Sequence, residues 1–398
     1  MRPTCRAALA VMALAVFLNG CGTMGPKVMK GNRTAYNTGI QQSDKEELLL
    51  NLVRIRYLEP PFFMSVGSIS SSFNFQVTTG LSADLNSGPT QTVVPYAVSE
   101  KTGQITSYYP AFAGYPDVAV KPNLEFQYYE SPTITYAPLQ GEKYVTQLLS
   151  EIDPGRFFFL YRAGADMDML LDVLVRQVGT LRNPDPDEDT PSARTGRDRF
   201  RELSKALAAM QGRGDLQLQY TAPEPGVAES LVLQMRFADA AEAARLDELF
   251  GIGLPRLSAP DGRLVAQARL IRAMDFLSAQ TREERAVNLT FDLRNTMEVL
   301  EYLAQGVQVP EEDVKAGIAE APAEHLVPEA RSAIAVHCDR KKPSSAYVST
   351  YYEGKWFFVA ANDMPSKSAF GFLMTLLAME GGDVKSGLPV LTIPVGGR

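Results

Sequence analysis

The chain is nearly empty of the residues on which most enzyme chemistry depends. Two His, one Trp and three Cys occur among 398 residues. That is too few for zinc sites of the His-x-x-x-His or Cys-x-x-Cys kind. No Gly-x-Ser-x-Gly or Ser-x-x-Lys sets a serine beside a base. Gly251-Ile252-Gly253 lacks the third glycine of a dinucleotide loop, and Leu254-Pro255 follows where a helix should begin. His337 and Cys338 are neighbours, but successive strand residues point to opposite faces, so a packed thiol beside an imidazole stands against a Cys/His centre. No catalytic residue, metal or cofactor is expected. A carboxylate-only hydrolase stays open, because 46 acidic residues allow many pairs and no spacing singles one out. Basic charge is also in deficit: 39 Lys and Arg leave a net charge of −7, which argues against nucleic acid and against docking on anionic lipid. Apolar runs long enough to span a bilayer are missing too.

What is present begins with a secretory signal. Arg2 and Arg6 form a basic start, and Ala7–Phe17 is apolar but too short for a spanning helix. Leu18-Asn19-Gly20-Cys21 follows and resembles the lipobox of bacterial lipoproteins. The resemblance implies cleavage before Cys21, a diacylglycerol on its thiol and a third acyl chain on its amine. One chain alone would bind a membrane only reversibly. Gly22, in place of Asp, implies the outer membrane. The competing reading is an ordinary signal with a chance cysteine. Loss of residues 1–20 removes two Arg and no acid, taking the net charge from −7 to −9. Cys5 leaves with the signal and Cys21 is the lipid site, so Cys338 has no partner for an intrachain disulfide. Stability must come from the core.

Gly22–Gln42 is polar and reads as a tether. Ser43-Asp44-Lys45-Glu46 is a capping box opening a helix that runs to Leu58, before Pro60-Pro61. Leu48, Leu49, Leu52, Val53 and Ile55 make its apolar arc, with Asn51 and Arg54 opposite. Arg56 falls inside the arc, either snorkelling its head to solvent or buried against a carboxylate. From Ser65 to Leu85 the period becomes two: Phe73, Phe75, Val77, Leu81, Ala83 and Leu85 alternate with Asn74, Gln76, Thr78, Gly80, Ser82 and Asp84. A second alternating run covers 124–128 and 131–136. The pair is either a hairpin of a soluble sheet or one subunit's share of an oligomeric barrel.

The middle is helical: 142–152, 167–181 and 199–210, with Pro154-Gly155 breaking the chain and 183–192 an acidic loop. Asp185-x-Asp187-x-Asp189 lacks the Gly and Glu of a calcium loop, having Thr190 and Gly196 in those places. Strands are expected at 216–220, 231–235, 287–293, 332–337, 347–352, 355–359 and 389–395, and helices at 238–250, 295–306 and 366–380. Residues 263–274 are ambiguous, and 311–329 is a polar connection. The last helix lies between two strands and suggests a βαβ crossover. Arg213-Gly214-Asp215 matches an adhesion tripeptide, a length at which chance matches are common. Trp356 beside Phe357 and Phe358 belongs either to the core or to a partner or ligand surface.

Three runs, ELLLNLVRIRYLEPPFF (47–63), SPTITYAPLQGEKY (131–144) and PVLTIPVG (389–396), resemble a family of Gram-negative outer-membrane lipoproteins. They sit near both ends of the mature chain and carry no chemistry. The resemblance therefore implies a lipoprotein and brings no catalytic residue.

The expectation is an α+β protein: an N-terminal helix and long β-hairpin region, central helices, and a C-terminal mixed sheet with a βαβ unit. Its parts are 1–20 signal, 21–42 lipidated tether, 43–140 helix plus β-rich region, 141–213 helical region and 214–398 α+β domain. The expected role is a non-enzymatic, periplasm-facing structural or protein-binding lipoprotein. Its partners would be the membrane, through acyl chains on Cys21, and an envelope protein, with a homo-oligomer possible and no nucleic acid. The alternative is a subunit of an oligomeric outer-membrane pore or secretion assembly.

Overall fold

A computed structural model describes residues 24–86, 117–185, 188, 190–224, 229–275, 287–321, 333–381 and 391–394. The signal, Cys21, Asp187, Asp189 and His325 lie outside these. In chain order the elements are helix α1 (Met24–Arg56), strands β1 (Phe63–Asn86) and β2 (Asp117–Leu139), and helices α2 (Glu142–Leu149), α3 (Pro154–Arg162) and α4 (Met167–Leu174). Next come β3 (Val175–Val178), β4 (Leu181–Arg182), α5 (Pro191–Gly212), β5 (Leu216–Thr221), β6 (Ser230–Arg236) and α6 (Ala240–Phe250). β7 (Arg256–Ser258), β8 (Leu264–Ile271), β9 (Val287–Leu293), α7 (Thr296–Ala304) and α8 (Glu311–Ala316) follow. The last are β10 (His337–Asp339), β11 (Ala346–Tyr352), β12 (Lys355–Ala360), α9 (Met364–Gly381) and β13 (Leu391–Pro394).

The fold is α+β with a mixed sheet in its C-terminal half. It divides into two compact units, one drawn from Met1–Ser65 and Pro138–Leu388, the other from Val66–Ala137 and Pro389–Arg398. In the larger unit the main sheet has the order β4-β3-β9-β8-β6-β5, with β7 also on β8. β8 and β9 are parallel, and the other pairs are antiparallel. Period-two patterning puts Leu231, Leu233, Met235, Ala266, Ala268, Leu270, Leu289, Phe291 and Leu293 into one continuous core. Because β3 and β4 join this sheet, residues 141–213 and 214–293 share it, and the expected boundary at 213 is not a domain boundary. A second sheet, β10-β12-β11, buries Val348, Phe357 and Val359.

The smaller unit is a three-stranded sheet of order β1-β2-β13. β1 runs for 24 residues and β2 for 23, so the two short runs expected at 124–136 are one strand. β13 pairs antiparallel with β2, Leu391 opposite Tyr136 and Pro394 opposite Thr133. The expected βαβ crossover is therefore corrected: the strand after α9 joins β2, not the β10-β12-β11 sheet.

Four local expectations also change, each for a physical reason. Helix α1 begins at Met24, so the stretch expected as a coil tether is helical from there and Ser43 lies within a helix. Pro26 is tolerated in its first turn, where an amide has no intrahelical acceptor. Pro154 starts α3 instead of breaking the chain: Asp153 caps it, accepting from the Arg156 amide at 2.8 Å. The helix expected over 167–181 stops at Leu174, where Val175 and Val178 continue as β3. Asn51, expected on the exposed face of α1, is fully buried.

Candidate functional site

The long strand β1 starts from a clamp built by α1. Asn51 Nδ2 donates to the carbonyl of Phe62 at 2.8 Å, and Asn51 Oδ1 accepts the Phe62 amide at 2.9 Å. One turn earlier, Glu47 Oε1 accepts the Met64 amide at 2.6 Å. The spacing explains why two side chains suffice. Residues i and i+4 of a helix are about 6 Å apart along its axis, and alternate strand residues are about 6.6 Å apart. Glu47 and Asn51 thus stand in for a neighbouring strand along three backbone groups of Phe62 and Met64. Phe63, between them, is buried in the core, while Phe62 and Met64 stay substantially exposed.

The Glu47 carboxyl is half-buried, and that burial pushes its pKa up to about 7. The Met64 amide and Arg54 oppose the rise, and Asp44 adds to it. Arg56 is buried too, which removes the snorkelling alternative, and its Nη2 donates to the carbonyl of Glu320 at 3.1 Å.

Three further charged groups link distant parts of the larger unit. Arg294 is fully buried and donates through Nη1 to the carbonyls of Asp172 (2.9 Å), Val173 (3.1 Å) and Val175 (3.3 Å). These belong to the C-terminal end of α4, whose last carbonyls lack intrahelical partners and favour a cation. Asn183 Nδ2 also donates to the carbonyls of Asp172 and Val175. The guanidinium lies 4.2 Å from the Tyr302 ring centre, and the Tyr302 hydroxyl donates to Asp172 Oδ1 at 2.8 Å. Burial raises the pKa of both Asp172 and Tyr302.

Asp313 ties three elements together. Its Oδ2 accepts from the Tyr57 hydroxyl at 2.6 Å, and its Oδ1 accepts from Lys355 Nζ at 2.7 Å. Glu380 is buried against Arg156 and accepts from Gln147 Nε2 at 2.9 Å.

Three clefts of about 510, 580 and 620 Å³ lie beside these clusters. Cys338 lines the first, half-buried, and burial pushes its thiol up to about 11, which keeps it protonated and a poor nucleophile. His337 is exposed beside the Phe358 ring, centroids 5.5 Å apart. Among the described residues, no three His, Cys, Asp or Glu side chains are grouped to hold a metal, and no helix is long and apolar enough to cross a membrane. Gly251 is the left-handed cap of α6, not part of a phosphate loop. Arg213 and Asp215 of the adhesion-like tripeptide pair with each other, and Asp215 is buried. Trp356 is half-buried on the outer face of β12.

The clamp was missed in the sequence, although a polar Asn51 inside a run of leucines was its one visible sign. No family model matches the chain, and neither does any curated protein or solved structure.

Proposed function

We propose that this chain is a lipid-anchored, non-enzymatic structural subunit of an oligomeric outer-membrane assembly. Acyl chains on Cys21 hold it, and β1 and β2 supply strands to a sheet shared between copies. The observation that carries the reading is strand length joined to sequence pattern. Nine to eleven residues cross a bilayer as a tilted strand, and β1 and β2 have 24 and 23. The alternation of apolar with small polar positions is cleanest over Phe73–Leu85, the part of β1 far from the clamp. That is about 43 Å of strand, or about 30 Å of depth at a 45° tilt.

Two such strands cannot close a barrel. The smallest known have about eight, so four or more copies are needed.

A second reading keeps the anchor and makes the strands a periplasmic protein-binding arm. It is favoured by the place of so long a strand as β1 at the edge of its sheet among the described residues, which suits β-addition by a partner. One experiment separates the two: the full-length protein is extracted in mild detergent for mass measurement, and membranes are treated with protease. The assembly reading expects four or more copies and a protected fragment spanning 65–136. A monomer with that region digested would sink it. Cys21→Ser is expected to release a folded protein unable to assemble in the membrane.

A further inference from the structure

We propose that the outer face of the β10-β12-β11 sheet binds a glycan chain carrying carboxylate groups. The pairing register puts His337, Phe358 and Ser349 in one row across the three strands and Asp339, Trp356 and Tyr351 in the next. The inner face is filled by Val348, Phe357 and Val359, all buried, so the outward rings have no core to enter. Tyr351 is 58% exposed, His337 is exposed, and Trp356 and Phe358 are half-buried. The rings form two neighbouring pairs: Tyr351 and Trp356 with centroids 5.3 Å apart, His337 and Phe358 at 5.5 Å.

A pyranose ring presents a C–H face that packs on an aromatic ring and a rim of hydroxyls that needs hydrogen-bond partners. Ser349 and Asp339 end the two rows, at opposite edges of the sheet, and supply such partners. A protein hot spot is an anchor in a desolvated pocket; this face sets paired rings between polar edges. Beside it stands a run of basic residues, with Asp339 on the face itself and the exposed Glu353 in the turn between β11 and β12. Arg340, Lys341 and Lys342 follow β10 directly, and Lys342 Nζ lies 4.9 Å from the Trp356 ring centre. Glu312 engages Arg340, while Lys341 and Lys342 are exposed. Asp339 Oδ1 accepts the Lys341 amide at 3.0 Å, which ties part of its charge into the turn. Two exposed lysines suit a chain bearing spaced carboxylates. They are a weak counter to a polyphosphate facing a protein of net charge −7.

Trp356 is the only tryptophan, so intrinsic fluorescence reports from inside the site. The full-length protein in detergent is titrated with a galacturonate hexamer, a neutral cellohexaose and an oligothymidylate. The galacturonate is expected to give a saturable change that weakens with salt. Affinity should fall about tenfold or more in both Tyr351→Ala and Lys342→Gln, two exposed positions that touch Trp356 from outside the core, each variant read against its own unliganded spectrum. Cellohexaose should bind more weakly. No saturable change in the millimolar range, or an unchanged response in Tyr351→Ala, overturns the proposal. Equal affinity for cellohexaose removes the carboxylate from it, and preference for oligothymidylate replaces it with a nucleic-acid face. A spectral change with protein concentration alone means that a second copy covers the rings.

Discussion

Asn51→Leu tests whether α1 sets the start of β1. The substitution keeps the branched shape of the side chain and adds apolar surface and bulk, so a role in packing alone predicts a loss shared with the surrounding core. It removes both hydrogen bonds to Phe62. Each is worth about 1 kcal/mol net, and a buried backbone group left unpaired costs about 1–3 kcal/mol. Phe62 is 45% exposed, so water recovers part of that cost, and the low end applies: about 2 kcal/mol. If the loss is local, it appears as opening of the clamp. Amide hydrogen exchange at Phe62 and Met64 should then accelerate about thirtyfold. Val299, in the core of α7, serves as the control and should be unchanged. Unaltered exchange at Phe62 would refute the clamp. Equal acceleration at Val299 would make Asn51 an ordinary core residue.

Three further outcomes follow from the same geometry. The folded pKa of Glu47 is raised to about 7 from 4.5, so the native state holds its proton more tightly, and the associated stability is present below about pH 4.5 and lost as pH rises towards 7. Glu47→Gln keeps an acceptor for Met64 without the titration. It should match the parent at pH 4 and exceed it by about 1–3 kcal/mol at pH 8 in urea unfolding; equal curves at both pH values would refute the burial argument. Arg294→Ala takes one donor from the carbonyls of Asp172 and Val175, which keep Asn183, and the side-chain donor from that of Val173, and should cost about 3 kcal/mol in the same assay. Arg294→Lys should recover little, because one ammonium lacks the planar fork. Leu58 sits in the left-handed region at φ 62° with its side chain 70% exposed, so Leu58→Gly should stabilise by about 1 kcal/mol. A loss there would mean that the side chain contributes more than the strain costs.

The parts of the fold legible in the sequence were those with a local period. β1 declared itself through Phe73-x-Phe75-x-Val77, and α7 through the Asn295/Glu298 capping box, which forms in full. Elements set by distant partners did not. The arc that put Asn51 on the outside weighed only hydrophobicity along α1 and could not see strand residues returning at 62–64. Arg294 looks like one basic residue after an apolar strand; its task is to close a helix end some 120 residues earlier. The final strand shows an apolar run that any sheet would accept, so nothing local chose β2 over the nearer hairpin. Trp356, read first as core and second as surface, was hard to place for a similar reason: consecutive aromatics populate both faces of β12. Only the pairing register shows Phe357 inside and Trp356 out.

The largest change concerns the tether. A 21-residue polar coil would wander with a root-mean-square reach of about 25 Å and place nothing. The helical stretch from Met24 to Gln42 covers about 28 Å, a similar distance, but in one direction. It is also continuous with the turns that hold Glu47 and Asn51. The element beginning three residues after the proposed lipid site is therefore the same rigid element that grips Phe62 and Met64. Under the assembly reading, every anchored copy would start β1 at one fixed distance along its own helix. A shared sheet needs that uniformity, because a slip of one residue between neighbouring strands reverses which positions face lipid and which face the lumen. A coil tether would leave that spacing to chance, whereas a continuous helix fixes it before the strands meet.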